Sequence, residues 1–336
     1  MAIGLNMACL NKLTCFCVLA VTVFEIVSNL VSSDQSFSDL LVTRMLSEYE
    51  QKLKGAPRCN STREYAVFTI ISSTDPDYPR GATTLRKSIT LFGKLDSCRV
   101  ETISLVIDEV AREPSFQADL QRMKEVGWKL VLVPEIKMPE SMIAKVDSPR
   151  FIPLFTKLHV FNATQYKAVL FLDSDMSVLG DMMPLFDRYV PELKARKLNL
   201  GWVHDQPYSV FKGSSANAGM MLVIPDRRLF VDLIASITTL EFDAKMSEQG
   251  FLNKYFEHRS MLLPDVYNYN AVVALRNQSL WDATELGSIV IFHHTIAKPF
   301  YSIIGADLAC LVNNHYHICK IWKKIDKLNL TVSPSN

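Results

Sequence analysis

Two aspartates separated by one residue, Asp173 and Asp175, directly follow the apolar run 168–172. A run that is apolar at every position is typical of a strand buried on both faces, so the carboxylates are expected at the carboxyl edge of a sheet. Residues two apart in a strand point to the same side, where two carboxylates repel unless a cation lies between them. The pattern therefore predicts a divalent-metal site. The alternative is a turn closed by aspartate side chains, which is common in proteins.

A histidine nitrogen is the expected third ligand of this ion. His293 and His294 both follow the apolar segment 289–292, which predicts another buried strand. A neutral imidazole at the end of that strand could complete the metal shell. Carboxylate oxygens suit Mg²⁺, and an added imidazole nitrogen shifts the preference towards Mn²⁺. The alternative is that either histidine is an ordinary buried structural group.

The elements that must position these side chains alternate between strand and helix from Tyr65 onward. This alternation predicts an α/β fold with a largely parallel sheet covered on both faces. The first half has the pattern of a nucleotide-binding βαβ unit. The predicted strands are 66–72, 100–107, 129–133, 168–172, 220–224 and 289–292, and the predicted helices are 81–92, 115–126, 151–165, 227–237 and 249–256.

Composition and charge narrow the class of protein. With 336 residues, 49% of them hydrophobic, the chain can bury one large core or two modest ones. The formal net charge of +1 provides no broad basic field of the kind that drives nucleic-acid binding. We therefore expect a globular enzyme that does not bind DNA or RNA.

The first 33 residues have the layout of a secretory signal peptide: Lys12, an apolar run over 13–24, then Ser32 and Ser33. The run is shorter than the ~20 residues that span a bilayer, and Glu25 follows it. A retained signal anchor is the alternative, and only then would the chain be attached to a membrane. Residues 34–63 are polar and predict a stem or lead-in with one short amphipathic helix. The predicted location is the secretory pathway.

Cysteines and glycosylation sequons agree with an oxidising compartment. Three of the seven cysteines lie in the predicted signal, and the remaining four permit two disulfides. Cys59 and Cys98 each precede a predicted strand and would lie side by side if those strands are parallel neighbours, which leaves Cys310 with Cys319. Four free buried thiols are the alternative. Sequons begin at Asn60, Asn162, Asn277 and Asn329, and the helical position of Asn162 is the least favourable.

A series of short motifs follows one order along the chain. In sequence they are Phe155-Thr156-Lys157-Leu158, the segment 171–175, Leu185-Phe186, Asn217-Ala218-Gly219-Met220, the segment 248–253, Leu263-Pro264 with Tyr267-Asn268, and His293 through Lys298-Pro299-Phe300. As an ordered set over about residues 65–300, they resemble the family 8 glycosyltransferases, the group containing glycogenin and galactinol synthase. The resemblance implies a GT-A fold. This is a single α/β domain over 64–330, with a nucleotide-binding half and a mixed central sheet.

The resemblance also implies a chemistry: retaining transfer of a hexosyl or glycuronosyl group from a UDP-sugar to a glycan, lipid or small-molecule acceptor. It aligns His293, rather than His294, with the family's metal ligand beside Asp173 and Asp175. Lys298 would contact the diphosphate as a point charge. Phe300 replaces the tryptophan that is usual in the family. The other implied donor contacts are Thr69, Ile70, Tyr78, Lys157 and Ser174.

The sugar pocket implied by the resemblance consists of Asp205, Asn217, Glu248 and Gln249, with Asp205 and Gln249 the strongest candidates. Glu248 stands where the family more often has aspartate. Turn and helix-cap roles are the structural alternative for these residues. A sugar-nucleotide-binding protein without transferase activity is the competing function. A nucleotidyltransferase is disfavoured because the segment 72–77 is acidic and lacks the glycines that hold a triphosphate.

Overall fold

The computed structural model describes residues 63–73, 75–205, 215–295, 298–301 and 316–331. The predicted signal 1–33 and all but the last residue of the predicted lead-in 34–63 lie outside these residues. The described part is an α/β structure with a seven-stranded mixed sheet and a three-stranded sheet. Within the described residues, no helix combines the length and the apolar character needed to cross a membrane.

The strands in chain order are β1 (Tyr65–Ile71), β2 (Val100–Ile107), β3 (Lys129–Val133), β4 (Ala168–Leu172), β5 (Met176–Val178), β6 (Leu200–His204), β7 (Ala216–Val223), β8 (Met261–Leu262), β9 (Tyr269–Asn270) and β10 (Ile291–His293). The α-helices are α1 (Asp77–Phe92), α2 (Asp108–Arg112), α3 (Gln117–Glu125), α4 (Glu140–Ile143), α5 (Val190–Ala195), α6 (Arg227–Ser236), α7 (Ser247–Tyr255), α8 (Val272–Arg276), α9 (Gln278–Ala283) and α10 (Tyr316–Lys327).

The large sheet has the strand order β3-β2-β1-β4-β7-β6-β8. Strands β1, β2, β3 and β4 are parallel to one another, β7 is antiparallel to both β4 and β6, and β8 is parallel to β6. The parallel half is the predicted nucleotide-binding unit, and β7 makes the sheet mixed. In the small sheet, β10 pairs antiparallel with β5 and parallel with β9.

Apolar side chains cover both faces of the large sheet because successive residues of a strand point to opposite sides. In β1, Val67 and Ile71 belong to the core that contains Leu85 of α1, whereas Phe68 and Ile70 belong to the core on the other face. All five residues of β4 are fully buried. This burial confirms that the run 168–172 is a central strand.

Several predicted elements differ from the structure: α1 begins four residues earlier than expected, and β7 begins at Ala216 instead of Met220. The helix expected over 151–165 is a 3₁₀ helix, Pro149–Asn162. Pro153 has no N–H to donate within that helix, and the Ala163 N–H bonds to Val160 O, three residues earlier. The strand expected over 289–292 begins later, at Ile291, because the Ile289 N–H is used in the preceding 3₁₀ turn, bonding to Leu286 O. His293 is therefore the last residue of β10, not the residue after it.

Helix α10 docks on α1 through one carboxylate. Asp326 accepts hydrogen bonds from Arg80 Nη2 (2.6 Å) and Thr84 Oγ1 (3.0 Å), and its backbone carbonyl accepts one from Lys87 Nζ (2.7 Å). Trp322 of α10 is fully buried, with its ring 6.0 Å from that of Phe300. The end of the described chain thus packs against the first helix of the fold.

Cys98 and Cys319 are each disulfide-bonded. Strands β1 and β2 are parallel neighbours, with Tyr65 opposite Val100, as the predicted pairing of Cys59 with Cys98 requires. Cys59 and Cys310 lie outside the described residues, so the pairing stays a prediction. Among the sequons, Asn277 caps α9 by accepting a hydrogen bond from the Leu280 N–H.

Candidate active site

The two aspartates form the turn that connects β4 to β5. Strand β4 ends at Leu172, and Asp173, Ser174 and Asp175 lead into Met176. The Asp173 N–H bonds to Gly219 O of β7 (2.8 Å), and Asp175 O accepts from the His294 N–H (3.0 Å). The expectation that the carboxylates share one side of a strand is therefore wrong in its local geometry. They converge because a tight turn, held at both ends, brings them together.

His293 reaches the aspartates from the neighbouring strand of the small sheet. In the register of that sheet, it lies opposite Met176 of β5 and Asn270 of β9. Its Nε2 lies 3.2 Å from Asp175 Oδ1. One ligand atom each from Asp173, Asp175 and His293 lies within 4.8 Å of the others. His294 Nε2 instead lies 2.9 Å from Ser177 Oγ, in a fully buried position.

These three residues fit a divalent metal ion. Asp175 Oδ1 is buried and accepts no hydrogen bond from any described residue, although the His293 imidazole approaches it. A buried carboxylate oxygen without a donor is costly, and a cation bound there would remove that cost. Two carboxylates and one imidazole are ligands for Mn²⁺ and, less typically, Mg²⁺.

Lys298 neutralises Asp175 from the other side, forming a buried ion pair with Asp175 Oδ2. Burial alone would raise the pKa of Asp175, but Lys298 and His293 outweigh it and hold that pKa well below its ordinary value. Asp175 is therefore an anion at neutral pH. Lys298 lies beside the three candidate metal ligands. The family resemblance implies that it contacts the diphosphate there.

Lys157 is buried between two carboxylates, with only 2% of its side chain exposed. Its Nζ lies 2.9 Å from Asp173 Oδ1 and 2.7 Å from Glu248 Oε1. Burial lowers the pKa of Lys157, but Asp173 and Glu248 more than offset this and raise it overall. Burial also raises the pKa values of Asp173 and Glu248, and Lys157 opposes that rise in both. In this structure the charge of Lys157 is therefore balanced by the carboxylates of Asp173 and Glu248.

Three of the four predicted sugar-pocket residues form one hydrogen-bonded network. Asn217 Nδ2 donates to Asp205 Oδ1 (3.2 Å), and Gln249 Nε2 donates to Asp205 Oδ2 (2.8 Å). Gln249 Oε1 accepts from the Ala218 N–H of β7 (3.0 Å). Glu248 lies apart from this network because it faces Lys157.

The predicted donor contacts differ in their accessibility. Tyr78, at the start of α1, has its hydroxyl 3.4 Å from that of Tyr301 and its ring 5.7 Å from that of Phe300. Burial raises the pKa of Tyr78. Thr69 is fully buried because it shares the α1 face of β1 with Val67 and Ile71, so its side chain is not accessible to a ligand here. Ile70 is 5% exposed and Ser174 is also 5% exposed.

Two glycines allow this close packing. A Cβ on Gly219 would lie 2.5 Å from His293 Cε1 and 2.8 Å from Asn217 Oδ1. A Cβ on Gly81 would lie 2.7 Å from Ser174 O, so glycine lets α1 approach the aspartate turn. Both positions need glycine for space, since a methyl group would move a ligand or the turn.

Comparison with known proteins gives a consistent result. No protein-family model matches the chain. It is 30% identical over 176 residues to inositol phosphorylceramide glucuronosyltransferase 1 of Arabidopsis thaliana, covering 52% of this chain and 27% of that protein. It is 26% identical over 213 residues to glycogenin-1 of Caenorhabditis elegans, covering 60% and 43%. The apo glycosyltransferase GlyE of Streptococcus pneumoniae TIGR4 superimposes with a TM-score of 0.54 at 18% identity, covering 80% and 61%.

The chain is similar in sequence to family 8 glycosyltransferases and has a GT-A fold. The expected resemblance and fold class are therefore confirmed. The chain spans less than half the length of the two curated relatives described above, and 61% of the GlyE chain. The relationship thus concerns part of each of those proteins.

One buried residue of the candidate site was not predicted from the sequence. Asn268 joins His293 to Asn217, with Oδ1 3.1 Å from His293 Nδ1 and Nδ2 3.0 Å from Asn217 Oδ1. Asn268 belongs to the motif 263–268 that carried the resemblance, and this was the available signal. Its residue type gave none, because asparagine is common in turns for local reasons.

Proposed function

We propose that this chain is a metal-dependent, retaining glycosyltransferase that moves a hexosyl or glycuronosyl group from a UDP-sugar to an acceptor. The observation that supports this most strongly is the convergence of Asp173, Asp175 and His293 at the carboxyl edge of the parallel half, where open α/β folds bind ligands. Mn²⁺ is the proposed ion, with Mg²⁺ as the alternative. A glycuronosyl donor agrees with the glucuronosyltransferase relative.

The chain's own residues divide the work of such a reaction. A bound divalent ion would supply Lewis-acid stabilisation of the charge on the departing diphosphate. Asp173, Asp175 and His293 would hold that ion, and Lys298, already beside Asp175, would add a positive charge where the leaving group becomes more negative. Asp205 and Gln249 would orient hydroxyl groups of the donor sugar. Retention of configuration is inferred from the family resemblance, and it implies an α-linked product.

The direct test is release of UDP from UDP-glucose, UDP-galactose, UDP-xylose and UDP-glucuronic acid in the presence of Mn²⁺, after a thermal-shift screen has identified the donor that raises the melting temperature. We expect Asp175→Asn to abolish turnover and Mn²⁺-dependent nucleotide binding. Asp187→Asn is the matched control, because Asp187 is half-exposed and pairs with Arg99 on the surface. Unchanged turnover in a folded Asp175→Asn protein would reject the proposal.

The same assay separates the competing function. Mn²⁺-dependent binding of a UDP-sugar without any release of UDP, to water or to an added acceptor, would indicate a sugar-nucleotide-binding protein. Slow release of UDP that depends on Mn²⁺ and on Asp175 would support the transferase, since many transferases leak slowly to water.

We also propose that the enzyme acts in the secretory pathway, on the basis of the sequence pattern in 1–33 and the four sequons. Expression of the full chain in eukaryotic cells should give a product whose mass falls on endoglycosidase treatment. An unglycosylated product that keeps residues 1–33 and remains in the cytosol would contradict this location.

A further inference from the structure

We propose that Asn268 is a positioning residue: it holds His293 in the tautomer whose Nε2 can bind a metal ion, and it links that histidine to the polar network around Asp205. The proposal rests on the proposed function, because His293 Nε2 is a metal ligand only if the site binds an ion. Asn268 would not touch the ion or the sugar, and it would act through its two neighbours.

Asn268 is well placed to act on both neighbours. It lies between the 3₁₀ turn Asp265–Tyr267 and strand β9, with only 1% of its surface exposed. Both its neighbours are buried as well, His293 at 5% and Asn217 at 8% exposure. Water is therefore largely excluded from the contacts at 3.1 Å and 3.0 Å. In such surroundings each polar atom needs its partner, so the network has one favourable orientation.

The orientation of the amides can be read from the far end of the network. Asp205 as a carboxylate only accepts hydrogen bonds, so Asn217 must present Nδ2 to it. Asn217 Oδ1 therefore points the other way, where it accepts from the Gly219 N–H at 2.9 Å. A backbone N–H can only donate, so this second contact fixes the same orientation independently. The side-chain orientation of Asn217 thus follows from two groups whose roles are certain by chemistry.

The next two links follow without further choice. Asn217 Oδ1 accepts, so the atom of Asn268 that faces it is the donor Nδ2, and Asn268 Oδ1 faces His293. An amide oxygen only accepts, so His293 Nδ1 carries a hydrogen. In the neutral ring, Nε2 is then the unprotonated nitrogen. The carboxylate of Asp205 thereby sets the tautomer of His293 through two amides.

This tautomer has a consequence at the aspartate turn. His293 Nε2 faces Asp175 Oδ1 at 3.2 Å, and whenever Nε2 carries no hydrogen both atoms are hydrogen-bond acceptors. Two facing acceptors repel unless a cation lies between them, and Asp175 Oδ1 has no other donor among the described residues. The pair is therefore preorganised for a metal ion. Partners of this kind, which hold a metal-binding histidine in place, typically contribute about 10–100-fold to metal affinity or activity.

Two substitutions at Asn268 separate its two contacts. Asn268→Leu removes both, and we expect the Mn²⁺ affinity, measured by electron paramagnetic resonance on the full chain, to fall about tenfold or more. Asn268→Asp keeps an oxygen that accepts from His293 Nδ1–H but loses the donor to Asn217. We expect it to restore most of the Mn²⁺ affinity lost in Asn268→Leu, while turnover with the donor stays reduced.

The matched control is Asn270→Leu. Asn270 has the same residue type and is also buried, at 4% exposure, but its side chain serves Thr295 and the Val272 N–H instead of the His293 ring. A similar loss of melting temperature with unchanged Mn²⁺ affinity is expected. Equal losses of affinity in Asn270→Leu and Asn268→Leu would overturn the proposal, since general loosening of the small sheet would explain both.

The tautomer itself can be observed without any metal. In the metal-free protein labelled with ¹⁵N-histidine, with the signals assigned by comparison with His293→Gln, we expect a hydrogen on Nδ1 of His293, where Asn268 Oδ1 accepts it. A hydrogen on Nε2 together with a bare Nδ1 would overturn the proposal. If the expected tautomer is seen but wild-type protein binds no Mn²⁺, the proposed function fails while the assignment of Asn268 to the tautomer stands. If wild type binds Mn²⁺ through His293 and Asn268→Leu binds it equally well, only the positioning proposal fails.

Discussion

The large sheet and the small sheet of this molecule are each stabilised by a different kind of contact. In the large sheet, β4 contributes five fully buried apolar residues, and every residue of β7 is buried as well. The small sheet has strands of two or three residues, and polar groups stand inside it. Ser177 bonds to His294, Asn270 bonds to Thr295, and His293 meets Asn268 just before β9.

The two kinds of contact have different effects: apolar burial contributes mainly to stability, and hydrogen bonds contribute mainly to the position of the site atoms. Apolar burial is non-directional and roughly proportional to area, so the apolar side chains that cover the large sheet supply free energy of folding and not the placement of the imidazole. Hydrogen bonds are directional, so the small sheet fixes the imidazole relative to the aspartate turn. We therefore expect substitutions in the apolar interior of the large sheet to change stability, and substitutions of the small-sheet residues that hold His293 to change metal affinity more than stability.

The largest loss of stability is expected from replacing Lys157. Its buried charge is an exception among the apolar side chains that pack on the large sheet. Lys157→Met leaves Glu248 and Asp173 without their cation, and removing one partner of a buried ion pair costs about 3–5 kcal/mol. Urea unfolding measures this free energy. The double variant with Glu248→Gln should be more stable than the single one. A Lys157→Met protein as stable as wild type would show that the pair is not buried in solution.

A smaller loss is expected from Leu170→Ala in the middle of β4. Leu170 is fully buried between Val67 and Leu222 on the neighbouring strands, so the truncation should lower the free energy of unfolding by about 2–5 kcal/mol. The Mn²⁺ affinity of the folded protein should be unchanged. A weakened Mn²⁺ affinity, with little change in unfolding free energy, would contradict the division between the two sheets.

Gly219→Ala tests the boundary between the sheets and should change stability least. The added methyl would meet His293 Cε1, so we expect a cost of about 1–3 kcal/mol and a clear loss of Mn²⁺ affinity. Gly201→Ala in β6 is the control, because its methyl would find Leu263 Cδ1 at 3.4 Å, close to an ordinary contact. Isothermal titration with Mn²⁺ should separate the two. Equal affinities would mean that His293 is not held at the observed distance.

Much of the large sheet could be predicted from sequence because its signal is local. The bounds of β2, β3 and β4 agree with prediction, and β1 begins and ends one residue earlier than expected. Strands β5, β8 and β9 are too short to show a period, and they exist through pairing with residues distant in the chain. Helix α10 was missed although Ile318, Trp322 and Ile325 have helical spacing.

The charged residues of the site could be predicted from the sequence, but their burial and the contacts between them could not. Asp173 and Asp175 follow from their position after an apolar run, and the choice of His293 over His294 came from the family resemblance. The burial of Lys157 was not predictable, since lysine is usually exposed. The contact between Asn268 and His293 joins residues from separate strands, and neither periodicity nor motif spacing reports such a contact.

The central claim is that Asp173, Asp175 and His293 hold one divalent ion. The most direct measurement compares Mn²⁺ binding by His293→Gln and His294→Gln, two neighbouring buried histidines of which only the first faces the aspartates. We predict that His294→Gln, once shown to be folded, binds Mn²⁺ as wild type does, and that His293→Gln binds it about tenfold more weakly or worse. Equal binding by His293→Gln and wild type would contradict the account.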